Sequence, residues 1–208
     1  MRFFDRRVLI AGALALTVAS CSKGGTGGSA VTAEDMTLGS ADAKITLVEY
    51  ASASCSHCAA WSQDVFPEFK KKYVDTGEVR YVMREFLTPP VEVAAAGFLT
   101  ARCAGKDKYF TVLDAVYKGQ QEMFSTGDFR GVLLRIAQSA GMTEAQFDAC
   151  VSDEKSLKDL NDRVEKYSRD AKITSTPSFV LNGKLIGEGE LPIAKIDAEV
   201  AAAKAALK

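Results

Sequence analysis

One tetrapeptide in this 208-residue chain carries a recognisable chemistry: Cys55-Ser56-His57-Cys58. The two cysteines follow an apolar run and open a helical stretch. One turn of helix brings such sulfurs within bonding distance without displacing the backbone. A helix N-terminus presents unpaired N–H groups and a partial positive charge. Set against the first sulfur, these favour the Cys55 thiolate, lower its pKa and make it a good leaving group. His57, the only histidine, can add positive charge or a hydrogen bond to the same thiolate. Whatever stabilises the thiolate stabilises the reduced pair, and such a pair tends to pass its disulfide on. The chemistry implied is thiol–disulfide exchange, which needs no cofactor.

Three other readings of the pair are weaker. Structural zinc usually takes four ligands. Two more would have to come from Cys103, Cys150 or His57, with no second CxxC or HxxxH to supply them, so no metal is expected. Haem attachment needs His directly after the second Cys, and position 59 is Ala. A purely structural short-loop disulfide is uncommon.

The elements that must position the pair can be read around it. Ile45–Ala51 is a short β-rich run with the pattern of a strand covered on both faces. A helix is expected over about residues 56–75, with Pro67 as a kink or restart. Val79–Phe86 is the next strand, in a parallel crossover with the first. Pro89-Pro90 breaks the chain. Residues from Val91 to about Lys172 read as helical, punctuated by Gly105, Gly119, Gly127 and Gly141. A block of that length cannot be a loop and is expected to be a subdomain with its own small core. Strands return at Ser178–Leu181 and Lys184–Gly187 around an Asn182-Gly183 hairpin turn. Ile193, Ile196, Val200, Ala203 and Leu207 then recur at helical spacing.

Composition is that of a globular protein, with 47% hydrophobic and 25% charged residues, which excludes disordered and collagen-like chains. The net charge of −1 gives no support for a nucleic-acid partner. Five cysteines cannot all pair within one chain. The first residues bear on this. Met1–Arg7 is short and basic, and Val8–Ala19 is almost wholly apolar. That run is shorter than the ~20 residues a bilayer span needs, so it reads as an export signal. Val18-Ala19-Ser20-Cys21 resembles a bacterial lipobox, in which Cys21 would become the first mature residue and carry lipid. Ordinary cleavage near Ala19 or Ser20 is the other reading. Arg6-Arg7 also resembles a twin-arginine signal, on a weaker match. Without residues 1–20 the chain has 23 basic and 26 acidic residues, a net of −3. Membrane attachment is expected through lipid alone. Ser22–Ala33, rich in Gly, Ser and Thr, reads as a tether. Outside the cytoplasm, disulfides persist.

The segment Glu49–Cys58 (EYASASCSHC), the Thr176-Pro177 pair before a strand, and the helical block between them resemble the DsbA-like branch of the thioredoxin superfamily. The resemblance runs from about Leu38 onward. It implies an α/β, thioredoxin-like fold with an inserted all-helical subdomain. Residues 1–20 would be the export signal, 21–35 a linker, 36–87 and 173–208 the discontinuous thioredoxin-like domain, and 88–172 the insertion. Cys55 would be the exposed sulfur and Cys58 the buried resolving one, with Ser56 and His57 tuning the potential. His matches the oxidase branch at this place, whereas Ser56 departs from the Pro commonest there. Pro177 matches the family's cis-proline. Thr176 would lie beside the cysteines and offer backbone groups to an extended substrate. Thr before this proline resembles isomerase and reductase relatives as much as strong oxidases.

Glu49 shares a strand face with Ile45, Leu47 and Ala51. A carboxylate there is either a strand-end or ion-paired residue, or a buried proton acceptor for the Cys58 thiol, as the family's acid at this place suggests. Trp61 reads as core or groove lining, and Lys70–Lys72 as a solvated helix face. Cys103 and Cys150 are either two buried thiols or, favoured in an oxidising compartment, a structural disulfide. Some DsbA-like relatives carry a bridge in this region.

The chain therefore reads as an exported, lipid-anchored monomer in the bacterial periplasm or cell envelope. It would donate disulfides to cysteine-containing exported proteins and be reoxidised by a DsbB-like membrane partner. One alternative is a reductase or isomerase kept reduced by such a partner. Isomerases of this superfamily usually add an N-terminal dimerisation domain, and residues 22–40 are too few for one. The other is a non-catalytic lipoprotein holding copper or zinc through Cys55, Cys58 and His57.

Overall fold

The computed structural model describes residues 30–207, so the expected export signal, Cys21 and most of the tether lie outside the described residues. A five-stranded mixed sheet has the order β1-β3-β2-β4-β5. The strands are β1 (Met36–Leu38), β2 (Ile45–Ala51), β3 (Val79–Glu85), β4 (Ser178–Leu181) and β5 (Lys184–Glu188). β2 and β3 run parallel, with Glu49 opposite Met83, and β4 lies antiparallel on the other side of β2. Apart from Thr46 and Glu49, β2 is apolar, because both of its faces are covered. Ile45, Leu47 and Ala51 face the main core, while Val48 and Tyr50 pack with Val82, Val180 and Tyr167 on the opposite face. β1 is an edge strand of three residues, too short for a period to signal it. Asn182 and Gly183 both take positive φ, 46° and 86°, as the two-residue hairpin needs.

The helices are α1 (Ser56–Asp64), α2 (Phe66–Phe69), α3 (Val91–Cys103), α4 (Tyr109–Thr126), α5 (Phe129–Ser139), α6 (Glu144–Val151), α7 (Glu154–Ala171) and α8 (Ile193–Ala206). The helix expected over 56–75 is three pieces: α1, α2 and a π-helical turn at Lys70–Val74. The break comes at Val65, two residues before the Pro67 that cannot donate into the preceding turn. Sequence capping explains several other boundaries. Asp128, Thr143 and Asp153 each accept the N–H of the third residue onward, and Gly127 ends α4 at φ 74°.

Two expectations for the helical block are corrected. Gly119 does not punctuate it but lies inside α4, where a Cβ would come 3.0 Å from Val132 Cγ1; it is a packing glycine. The block also has no separate core. Val112, Val116, Met123, Leu133 and Phe147 belong to the same continuous cluster as Leu47, Trp61, Phe69 and Phe179. Leu207, expected on the apolar face of the last helix, is exposed, whereas Ile196 and Val200 are buried.

Cys103, ending α3, and Cys150, in α6, are joined by a disulfide that closes a separation of 47 residues. A loop of that length corresponds to about 4 kcal/mol of chain entropy removed from the unfolded state. Two buried ionic clusters tie the start of the described chain to the body. Asp35 accepts from Arg84 and Tyr167, and Glu85 accepts from Arg102, Arg163 and Tyr109. Side chains also hold the backbone carbonyls before β1: Arg84 that of Ala30, Lys106 that of Ala33 and Arg102 that of Glu34.

Candidate active site

β2 ends at Ala51, and the four residues after it form a tight, buried turn into α1. Ser52, Ser54 and Thr88 share hydroxyl hydrogen bonds of 2.9 to 3.2 Å, which pair the buried serine hydroxyls. Gln120 of α4 donates to the carbonyls of Ala53 and Cys55 at 2.9 and 3.2 Å. Gly97 of α3 lets that helix approach the turn, since a Cβ there would meet Ala53 Cβ at 2.8 Å. The helical block is therefore one wall of the cysteine site.

Cys55 is the N-cap of α1, and its sulfur accepts the Cys58 N–H at 3.2 Å. No acidic side chain occupies the first turn to cancel the helix end. Both cysteines are free thiols; Cys55 is half-buried and Cys58 fully buried. Hydrogen bonding from the Cys58 thiol is the largest of the causes that bring the Cys55 pKa down to about 6. Burial opposes it, and Thr176 and the N–H groups of Cys58 and His57 help. Burial pushes Cys58 far above the usual thiol range, reinforced by the Cys55 thiolate and by Glu49. The pair is thus divided into an accessible thiolate and a buried thiol.

The peptide bond before Pro177 is cis, as is the one before Pro90. The Thr176 carbonyl accepts from the Cys55 thiol at 3.5 Å, so the loop before β4 lies against the first sulfur. Ser56 is exposed beside it. His57 is exposed too. Its Nδ1 lies 2.6 Å from Glu190 Oε1, and Glu190 raises its pKa. Of the two expected contributions, charge or a hydrogen bond to the thiolate, the hydrogen bond goes instead to a carboxylate from the loop after β5, while the His57 and Cys55 charges still attract.

Glu49 is 1% exposed, so the strand-end reading is overturned, and the side chain donating to it is the Tyr81 hydroxyl rather than a cation. Burial raises its pKa to about 8, opposed by the Tyr81 hydrogen bond and aided by the Cys55 charge. Its Oε1 and the Tyr117 hydroxyl are buried without hydrogen-bond partners. Both line a cleft of about 280 Å³ that reaches Lys70 and Lys118. Trp61 lines the same cleft and is also core: it is 1% exposed and donates to the Leu191 carbonyl at 3.0 Å. Lys70 and Lys72 make exposed pairs with Asp75 and Asp197, consistent with a solvated face.

Sequence reasoning missed Gln120, Tyr81 and Glu190. Gln120 had a signal, because it stands on the stripe Val112, Val116, Tyr117, Met123 where a polar residue needs a partner. Tyr81 also had one, since parallel pairing of the first two predicted strands puts it on the Glu49 face. Glu190 had none, lying in a Gly-Glu-Gly-Glu turn without periodicity.

The thioredoxin family model matches residues 31–198. A Rickettsia bellii protein named "Putative protein-disulfide oxidoreductase" is 37% identical over 150 residues, which are 72% of this chain and 57% of that protein. The chain thus spans little more than half the length of the first curated relatives it matches. Disulfide bond formation protein D of Bacillus subtilis is 22% identical over 72% of this chain and 68% of its own. The crystal structure of Wolbachia pipientis alpha-DsbA1 superposes with a TM-score of 0.76 at 24% identity, covering 86% of this chain and 96% of that one. The chain belongs to the thioredoxin family, and its fold, with a helical block inserted into the thioredoxin-like core, is similar to that of alpha-DsbA1.

Proposed function

We propose that the protein is an exported thiol:disulfide oxidoreductase that donates disulfides to cysteine-containing exported proteins. The observation that carries this reading is the division of labour between the sulfurs: Cys55 half-exposed at a helix N-cap and depressed to about 6, Cys58 buried behind it. In the oxidised enzyme a substrate thiolate attacks Cys55 Sγ. The substrate–Cys55 disulfide forms, the Cys55–Cys58 bond breaks, and Cys58 leaves with the electron pair and takes up a proton. Glu49, protonated at neutral pH, is the group placed to exchange that proton. A second substrate thiolate then attacks the substrate sulfur of the mixed disulfide and expels the Cys55 thiolate, a good leaving group because its pKa is low. The substrate loses two electrons and two protons and gains a disulfide; the enzyme is left reduced, with one proton on Cys58 and the other released to solvent while Cys55 stays a thiolate. Thr176 offers backbone groups to the substrate as an added strand would.

The remainder of the proposal rests on the first residues. Export, lipid attachment through Cys21, residence in the cell envelope and reoxidation by a DsbB-like membrane partner follow from the signal-like run and the family's habit. The test is exchange with a dithiol peptide and with reduced, unfolded protein. The oxidised enzyme should transfer its disulfide, Cys55→Ala should abolish transfer, and Cys58→Ala should accumulate mixed disulfides. Equal residual activity in both variants would refute the roles. Trapping of thiols in cells tests direction: a mainly oxidised pair supports donation, and a mainly reduced pair means a reductase or isomerase.

A further inference from the structure

The turn Gly189–Leu191 is fastened at three points around the cysteine site. The Gly189 N–H donates to the Pro177 carbonyl at 2.8 Å, which ties it to the loop facing Cys55. The Leu191 carbonyl accepts from Trp61 of α1 at 3.0 Å. Between them, Glu190 Oε1 meets His57 Nδ1 at 2.6 Å. The turn has little freedom, because Leu191 is buried and packs where a Cβ on Gly187 would sit, 2.5 Å from Leu191 Cδ1. The Glu190 carboxylate is therefore presented to His57 by a backbone anchored on both sides. His57 follows Cys55 by two residues, in the first turn of α1. Its charge is the one titratable cation that the sequence places inside the pair.

We propose that Glu190 is a positioning residue for the exchange reaction: by holding His57 at Nδ1 it offsets the imidazolium charge and keeps the ring off the Cys55 sulfur, so the pair oxidises less strongly than Cys55-Ser56-His57-Cys58 would with an unpaired histidine. The inference rests on the exchange reading of that pair. Its physical basis is the short range of the interaction. An imidazolium next to a thiolate stabilises it, whereas an imidazolium with a carboxylate in contact presents nearly no net charge. Removing Glu190 has a defined sign. Cys55 titrates at about 6, and an unpaired histidine with an ordinary pKa of about 6.5 is still mostly protonated there. A released His57 therefore stabilises the thiolate in the range where Cys55 ionises.

The experiment is a double-mutant cycle on the full-length protein. Glu190→Gln removes the charge and keeps the shape; Glu190→Ala removes both. Each is made in the parent and in a His57→Ala background, and two quantities are read: the Cys55 thiolate titration by ultraviolet absorbance and the equilibrium with glutathione. In the parent background both variants should lower the Cys55 midpoint. They should also raise the oxidising equilibrium constant about two- to fivefold, the scale of exposed charge pairs. In the His57→Ala background neither should change either quantity. No shift in the parent background, or an equal shift without His57, would overturn the proposal; the second outcome would mean that Glu190 acts on Cys55 directly. Failure of the exchange reading is separate, because it would appear as a parent protein that does not equilibrate with glutathione at all.

Discussion

Glu49 allows the electrostatics of the site to be tested without an activity assay. Its carboxyl is fully buried, and its pKa rises from the ordinary 4.5 to about 8. In the unfolded chain it ionises near the ordinary value. Between those two pH values the unfolded state has lost the proton and the folded state has kept it. The burial penalty is therefore absent below pH 4.5, grows as pH rises, and is complete above pH 8. With 1.36 kcal/mol per pKa unit, the full span is worth about 5 kcal/mol, of which about 3 kcal/mol is already felt at pH 7. Glu49→Gln replaces the acid with a group of the same shape that does not titrate. Urea unfolding of both proteins, in the disulfide form so that Cys55 and Cys58 do not titrate, gives stability against pH; that form lacks the Cys55 charge, the smaller cause of the rise, so both energies are upper bounds for it. The stability gap should move in favour of Glu49→Gln by up to ~1.4 kcal/mol per pH unit between 4.5 and 8, and be level outside that window. The amide can introduce a constant offset if its N–H groups lack partners, so the slope is the test. Parallel curves would mean that Glu49 ionises normally, and that burial does not govern it.

Three further outcomes follow from the geometry. Alkylation of Cys55 should follow a titration with a midpoint near 6, leaving about 90% thiolate at pH 7; a midpoint above 8 would contradict the stabilising contacts described. Gly97→Val should cost about 1–3 kcal/mol in urea unfolding, because α3 has no room for a side chain against Ala53, and an unchanged midpoint would show that the turn can yield. Replacing Cys103 and Cys150 together by Ala should lower stability by about 4 kcal/mol, again by urea unfolding, and a loss below 1 kcal/mol would mean that the unfolded chain is already restrained between those positions.

The parts of this molecule that sequence could announce are those with a local physical cause. β2 was legible because a strand buried on both faces is mostly apolar and β-branched, and the hairpin because Asn182-Gly183 tolerates two positive φ values. The cysteine pair was legible because its chemistry depends on spacing alone. What sequence could not announce depended on tertiary approach. Gly119 and Gly97 resemble helix breakers in a string and are close contacts in space. The helical block has the length of a subdomain, but its apolar residues were needed to cover the sheet, so the two share one core. His57 illustrates the limit at the site: its place in the tetrapeptide was evident, while its hydrogen-bond partner lies 133 residues away in a turn with no signal of its own.

The carbonyl contacts before β1 set a geometric bound. Arg84 of the sheet, Arg102 of α3 and Lys106 of the turn after it fix where the backbone enters the fold at Ala30, Ala33 and Glu34. Under the proposed attachment at Cys21, eight residues separate it from Ala30, a reach of about 30 Å at full extension over nine backbone steps. The folded body would then work within roughly its own diameter of the bilayer. It could meet a membrane-embedded redox partner by swivelling on a short leash, while soluble substrates would have to come to the membrane surface to be served.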